Sequence, residues 1–176
     1  MADRAALVGR RLDDGRRVAI RPIRPEDARR LQALFDRLSP ETVRRRFFVV
    51  KKRLDPREAR RLAGVDHVAD EALVAVVPPV DGGDEEIVAV ARYASTAPDE
   101  AELGLVVEDA YQGHGLGRVL LDDLLRLARA RGLRTIIAYM LPDNGRALQL
   151  LRASGYPVTV SWGQGAWRVV MRLNPD

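Results

Sequence analysis

The chain has 176 residues, enough for one sizeable hydrophobic core and too few for two comfortable domains. With 47 % hydrophobic and 31 % charged residues it is globular in composition, and its lack of cysteine excludes both a disulfide framework and a thiolate nucleophile. The net charge of +4, mostly arginine, suits an anionic ligand or an acidic partner, while no aromatic platform for nucleic acid, no signal peptide and no membrane span is found, so a soluble cytoplasmic protein is expected.

Residues 1–16 are polar and arginine-rich, and read as a flexible lead-in or an edge hairpin ahead of one domain over 17–176. Residues 17–23 alternate Val18, Ile20 and Pro22 with polar positions, the pattern of a first strand. Pro25, Glu26 and Asp27 then open a helix, with proline early and acids in the first turn where the dipole favours them. Its apolar face is Ala28, Leu31, Leu34, Phe35 and Leu38. Ser39 stands where it can cap a second short helix that runs to Phe47. Phe47, Phe48 and Val49 form an apolar knot inside Arg44, Arg45, Arg46, Lys51, Lys52 and Arg53. Asp55 and Pro56 start a third helix whose buried side is Ala59, Leu62 and Ala63.

Residues 71–77 make a nearly continuous apolar strand, followed by a turn at 78–84 with paired prolines and paired glycines. Strands are expected at 86–94 and 101–107, with a hairpin loop at 95–100 between them. Leu116, Val119, Leu120, Asp123, Leu124, Leu127 and Ala128 then recur at the spacing of one helix face. A strand at 134–140 follows, and Asp143 or Asn144 caps a helix that runs through Ala153 and is terminated by Gly155 and Tyr156. Residues 156–162 and 166–173 close the chain as a hairpin, with Trp162 and Trp167 as a facing pair expected to pack in the core. Periodicity alone specifies a three-layer mixed α/β domain.

Between the strand at 101–107 and the long helix lies Gln112-Gly113-His114-Gly115-Leu116-Gly117. A glycine-rich turn that opens a helix leaves backbone N–H groups unpaired and pointing outward, a ready site for a phosphate or a diphosphate. A Cβ there would hinder both the turn dihedrals and the approach of ligand oxygens. A nucleotide-hydrolysing P-loop is excluded, because Arg118 and Val119 follow Gly117 where Lys and Ser or Thr are needed. The dinucleotide fingerprint GxGxxG fails as well, since the glycines give GxGxG.

This segment resembles the acyl-coenzyme-A signature of the GNAT N-acetyltransferases, Gln/Arg-x-x-Gly-x-Gly/Ala, with Gln112, Gly115 and Gly117 in register and Gly113 and His114 as the variable pair. The order of elements is also similar to the GNAT fold from end to end. That resemblance implies an α/β (α+β) domain: a mixed central sheet, helices on both faces and a splay near the fourth strand. It implies acetyl-CoA as cosubstrate, with the main chain of Leu105, Val106 and Val107 pairing with the pantetheine arm. Gly113, His114, Gly115, Leu116, Gly117 and Arg118 would then surround the diphosphate, His114 as a neighbour and not as a catalyst. Arg118 either pairs with a phosphate or stays solvated, and Asn144 either holds the coenzyme or only caps its helix.

Within the family, IRPIRPEDARRLQALFDRLSPETVRRRFF, ARRLAGVDHVADEALVAVV and IVAVARY resemble the catalytic domain of bacterial Pat-type protein lysine acetyltransferases, which modify AMP-forming acyl-CoA synthetases. The chain is too short to include the cyclic-nucleotide-binding or ligase-like domain that some relatives carry, so a stand-alone catalytic domain is expected. Acyl transfer to lysine needs a neutral amine, although free lysine titrates near about 10.4. Glu102 matches the family's strand-four glutamate and is the candidate general base, directly or through water. Val106 N–H, or its neighbour, is the candidate donor to the thioester oxygen. The resemblance places a proton-donating tyrosine four residues before the helix-ending glycine, but Leu151 stands there and has no proton to give. Tyr111, Tyr139 and Tyr156 fall elsewhere in the pattern. The alternatives are a GNAT enzyme acting on a small amine or a protein N-terminus, and a non-catalytic acyl-CoA-binding module.

Overall fold

The apolar run of β3 (Glu71–Val77) lacks alternation because the strand is covered on both faces, with Ala72, Val74, Val76 towards one layer and Leu73 and Ala75 towards the other. This strand lies inside an eight-stranded sheet in the computed structural model, which describes residues 8–79 and 82–174. Residues 1–7 of the expected lead-in, and 80 and 81 of the expected turn, lie outside the described residues.

The other strands are β1 (Val8–Arg11), β2 (Arg17–Pro22), β4 (Glu86–Ala97), β5 (Glu100–Val107), β6 (Thr135–Met140), β7 (Val158–Gly163) and β8 (Ala166–Arg172), in the spatial order β1-β2-β3-β4-β5-β6-β8-β7. Every neighbouring pair is antiparallel except β5 with β6. A parallel pair needs a long crossover, and α4 (Leu116–Ala130) supplies it. Helices α1 (Ala28–Arg37), α2 (Pro40–Phe47) and α3 (Pro56–Ala63) belong to the segment between β2 and β3, and α5 (Gly145–Arg152) follows β6.

Helices cover both faces, as expected. Leu31, Leu34 and Phe35 of α1 and Ala59 and Ala63 of α3 pack with Val74, Val76, Ile87 and Val90. On the opposite face Leu116, Leu120, Leu121, Leu124 and Leu125 of α4 meet Leu73, Ala75, Ala89 and Ala91. The small alanines let this helix lie close to the strands. The buried stripe of α4 includes Leu121 and Leu125, beyond the expected face, while Val119 and Leu127 are only half-buried. Asp123 of that expected face is instead the partner of Arg10 from β1, at 3.3 Å, and of Arg126.

Two local outcomes differ from the sequence reading. Strand β4 continues to Ala97, through Ser95 and Thr96, which read as loop because they are polar. Their side chains are accommodated at the solvated end of the sheet: Ser95 Oγ donates to Ala69 O at 2.5 Å and Thr96 Oγ1 to Glu100 at 2.8 Å. Trp162 and Trp167 do face each other, ring centroids 5.0 Å apart and edge to face, but Trp162 is 54 % exposed while Trp167 packs against the core, so the expected core placement holds for Trp167 and fails for Trp162. β7 is an edge strand, with β8 beside it on one side only. The expected fourth strand, counted from Arg17, is β5 because β1 adds an edge strand before it.

Candidate active site

β5 is registered on β4 as far as Val107, yet its pairing with β6 covers only Glu100–Leu103 against Thr135–Ala138. Beyond Leu103 the two strands part, which is the expected splay. Glu108 N–H donates to Val88 O at 2.9 Å and so sets the phase of the antiparallel pair. Hydrogen-bonded and non-hydrogen-bonded positions alternate along such a pair. Val106 therefore directs its main-chain groups to β4, and Leu105 and Val107 direct theirs into the gap. The N–H first expected of Val106 is turned inward, and its neighbour Leu105 presents the donor. The Val107 carbonyl on this edge accepts from Gln112 Nε2 at 3.0 Å, and the same amide reaches Thr42 Oγ1 at 3.3 Å. Gln112 thus braces the glycine turn against β5 and α2.

In the glycine turn, Gly113 and Gly115 have φ of 79° and 86°, a region that strains residues with a Cβ. Gly115 is the N-cap of α4, and its carbonyl accepts the first helical bond, from Val119 N–H at 3.1 Å. No N–H from Gly113 to Arg118 has a hydrogen-bond acceptor among the described residues. Gly117 has no positive φ, and its reason is space: a Cβ would lie 3.5 Å from Leu150 and 3.6 Å from Val107, without clash but inside the cleft. Gly117→Val should accordingly melt within a few degrees of the parent yet bind acetyl-CoA about tenfold or more weakly by calorimetry, on the estimate that one blocked contact region forfeits about 1.4 kcal/mol or more. Unchanged affinity in that variant would remove Gly117 from the binding surface.

The remaining expected residues divide. Leu116 is 1 % exposed, its side chain in the core, so only its N–H is available to a ligand. His114 turns away: Nδ1 lies 3.6 Å from Asp14, its carbonyl accepts from Asp13 N–H at 3.2 Å, and its side chain does not line the cleft. Its expected place beside the diphosphate is therefore limited to main chain, because the β1–β2 turn attracts the imidazole. Arg118 lines the cleft while Nε donates to Asp122 at 3.0 Å. Asn144 Oδ1 accepts from Ala147 N–H at 3.3 Å as the cap of α5, and the residue also lines the cleft, so capping does not remove it from the cleft wall.

The cleft, about 330 Å³, runs from the glycine turn along Leu105 and Val107 to Leu150 of α5 and to Arg45 and Arg46 of α2. A second pocket of about 90 Å³ shares Arg46, Leu105, Asn144 and Leu150 with it and adds Glu102, Phe48, Tyr139 and Leu151. Glu102 is exposed there. Leu151 is 3 % exposed and gives this pocket an apolar wall without a proton donor. Tyr139, set aside in the sequence, reaches the same pocket because β6 leaves β5 after Ala138, which opens position 139 to the gap.

Helix α2 is latched across the cleft by Asp109, which accepts from Ser39 N–H at 2.9 Å, Ser39 Oγ at 2.6 Å and Thr42 Oγ1 at 2.9 Å. Burial pushes the Asp109 pKa up, but these hydrogen bonds together outweigh it and hold the carboxyl below the usual value. In the sequence Arg46 is one of six basic residues around the Phe47–Val49 knot, with no role of its own among them. Its guanidinium is seated so close to Gly104 that a Cβ on that glycine would stand 2.7 Å from Nη2. Burial lowers the Arg46 pKa, and the carboxylates of Glu102 and Glu58 oppose this only from a distance. The one signal was a glycine inside an otherwise apolar strand, which marks a close approach.

The cleft joins unpaired amides, a glycine that clears its floor and an open strand edge, which together fit an acyl-CoA: diphosphate at the amides, an extended arm along β5. The chain matches the Acetyltransferase (GNAT) family over residues 31–156. It is 35 % identical over 146 residues to acetyltransferase PA5475 of Pseudomonas aeruginosa, covering 82 % of this chain and 77 % of that protein. The GNAT domain of PAT from S. lividans superposes with a TM-score of 0.82 at 32 % identity, covering 94 % of this chain and 96 % of that one. The fold is shared with yncA of Salmonella typhimurium, solved with its cofactor acetyl-CoA, at a TM-score of 0.65 and 20 % identity, covering 90 % and 95 %. With the family matched across most of the chain and the parted strands placed beside the glycine turn, this protein belongs to the GNAT family of acetyl-CoA-dependent acyltransferases.

Proposed function

We propose that the protein transfers an acetyl group from acetyl-CoA to the side-chain amine of a lysine in another protein, an AMP-forming acyl-CoA synthetase, with Glu102 as general base. The observation that carries the reading is the position of Glu102: an exposed carboxylate in a pocket that shares its walls with the coenzyme cleft, where β5 parts from β6. The likeness to the S. lividans PAT domain over nearly the full length of both chains supports the acceptor class. So does the segment that leaves the pocket at Phe48, where Phe48, Val49 and Val50 are 41, 56 and 88 % exposed and are followed by exposed Lys52 and Arg53. A contiguous apolar surface of this kind suits a protein partner.

In this reading the bound thioester supplies the acyl group. Glu102 takes one proton from the lysine ammonium, directly or through water, and frees the lone pair. The amine nitrogen bonds to the carbonyl carbon as the carbon–sulfur bond breaks, and Leu105 N–H donates to the carbonyl oxygen as charge builds on it. The sulfur leaves as thiolate, and the second nitrogen proton passes to it or to solvent. Leu151 takes no part in proton transfer.

A small-molecule amine is the second reading, favoured by the pocket volume of about 90 Å³. Mixing the pure protein with acetyl-CoA and AMP-forming synthetases, then mapping acetylation by mass spectrometry, separates the two. Acetylation of the synthetase's catalytic lysine is expected. Transfer confined to small amines overturns the protein acceptor, and transfer to no amine favours an acyl-CoA-binding module.

A further inference from the structure

Four arginines border the coenzyme cleft, and three of them are accounted for. Arg118 is paired with Asp122, Arg45 with Glu41, and Arg146 is exposed to solvent. Arg46 is partly buried and makes no hydrogen bond or ion pair among the described residues. The Phe47 ring centroid lies 5.1 Å from its guanidinium carbon, and Arg92, a cation close enough to feel its charge, donates to Leu62 O at 3.2 Å. A half-buried guanidinium that no carboxylate of the described residues engages directly keeps its donors free for a ligand, and its rigid fork matches a carboxylate bidentately.

Its location selects the ligand. Arg46 borders both the cleft and the Glu102 pocket, against Gly104, between the proposed base at position 102 and the Leu105 N–H that faces the gap. That is the acyl end of the cleft. The phosphates have their own site in the amides of Gly113 to Arg118, at the start of α4. An anion that reaches Arg46 therefore belongs to a group near the reacting atoms.

We propose that Arg46 is a carboxylate-binding residue that reads an anionic group carried by a substrate, next to the bond that is made. The carboxylate is either the far end of a dicarboxylic acyl group on coenzyme A or one that the acceptor bears close to its amine. This assignment rests on the transferase reading, and it adds a specificity that acetyl transfer alone does not use.

The test compares matched pairs. Calorimetry gives the Kd of acetyl-CoA and of succinyl-CoA, and thiol release gives kcat/KM with L-lysine and with L-lysine amide as acceptors. At least one pair should favour its carboxylate-bearing member by about tenfold or more, as expected for a charge-assisted bidentate contact. Arg46→Met should abolish that preference with an unchanged circular dichroism spectrum. Arg46→Lys, which keeps the charge but not the fork, should retain only part of it and serves if the methionine variant fails to fold. Preference in the thioester pair identifies a dicarboxylic acyl donor, and preference in the amine pair identifies an acidic acceptor. Equal treatment of both pairs by the parent protein, or a preference that survives loss of Arg46, overturns the proposal. Absence of turnover with either amine excludes these small acceptors and leaves the transferase reading to the synthetase assay, and the Kd comparison then decides Arg46 alone, equal values overturning it.

Discussion

Glu102→Gln is expected to lower kcat with a lysine acceptor by about 10²- to 10³-fold, the range for loss of a general base. The Kd for acetyl-CoA should stay within about threefold, because Glu102 lines the second pocket and not the coenzyme cleft. The amide keeps the size and hydrogen-bonding capacity of the side chain but cannot accept a proton from the ammonium. Since lysine is free to lose that proton unaided near about pH 10.4, the variant should regain rate as pH rises, whereas the parent should level off earlier. Thiol release followed from pH 6 to pH 10 measures both, on the order of the range in which the amine titrates. Equal rates in the two proteins would falsify the assignment of the base, and a parallel loss of coenzyme affinity would make Glu102 structural.

The second large effect concerns stability. Asp27 is 0 % and Arg21 1 % exposed, joined by Nη1 to Oδ2 at 2.7 Å and Nη2 to Oδ1 at 2.8 Å, with Arg24 N–H donating to Oδ2 at 2.8 Å and Glu85 pairing with the same arginine. Asp27→Ala leaves a buried guanidinium with half its counter-charge and should cost about 3–5 kcal/mol in urea unfolding. Burial is the largest influence on the Asp27 pKa and raises it, but the hydrogen bonds from Arg21 and Arg24 prevail and the net shift is downward. A lowered folded pKa means that this stabilisation is complete above the unfolded carboxylate value, near about 3.9, and is lost as pH falls through the folded one. The gap between parent and variant should thus narrow on going from pH 7 to pH values below about 3. A loss under about 1 kcal/mol at pH 7 would show that Glu85 alone satisfies Arg21.

Asp27 also shows where sequence reading stops. Following Pro25 it reads as a first-turn acid serving a helix dipole, and only the return of Arg21 from β2 makes it a buried ion partner. Position 106 is a similar case. The apolar run of β5 marks a strand beside a glycine turn, but which main-chain groups face the gap depends on the phase set by Glu108 and Val88. A shift of one residue would reverse the answer.

What the sequence determined by itself is what neighbours along the chain decide. Ser39 and Asn144 cap their helices by reaching N–H groups three residues ahead, and Gly113 and Gly115 meet dihedral demands of their own turn. The unbroken apolar run of β3 already implies two covered faces, and the helical spacing after Leu116 already implies α4. The tertiary structure decided the turning of His114 to Asp14, the opening of Tyr139 into the second pocket and the seating of Arg46 on Gly104. Each of these depends on which distant strand or helix crosses at that point. Such contacts arise from the packing of whole layers, which neither local propensity nor periodicity encodes.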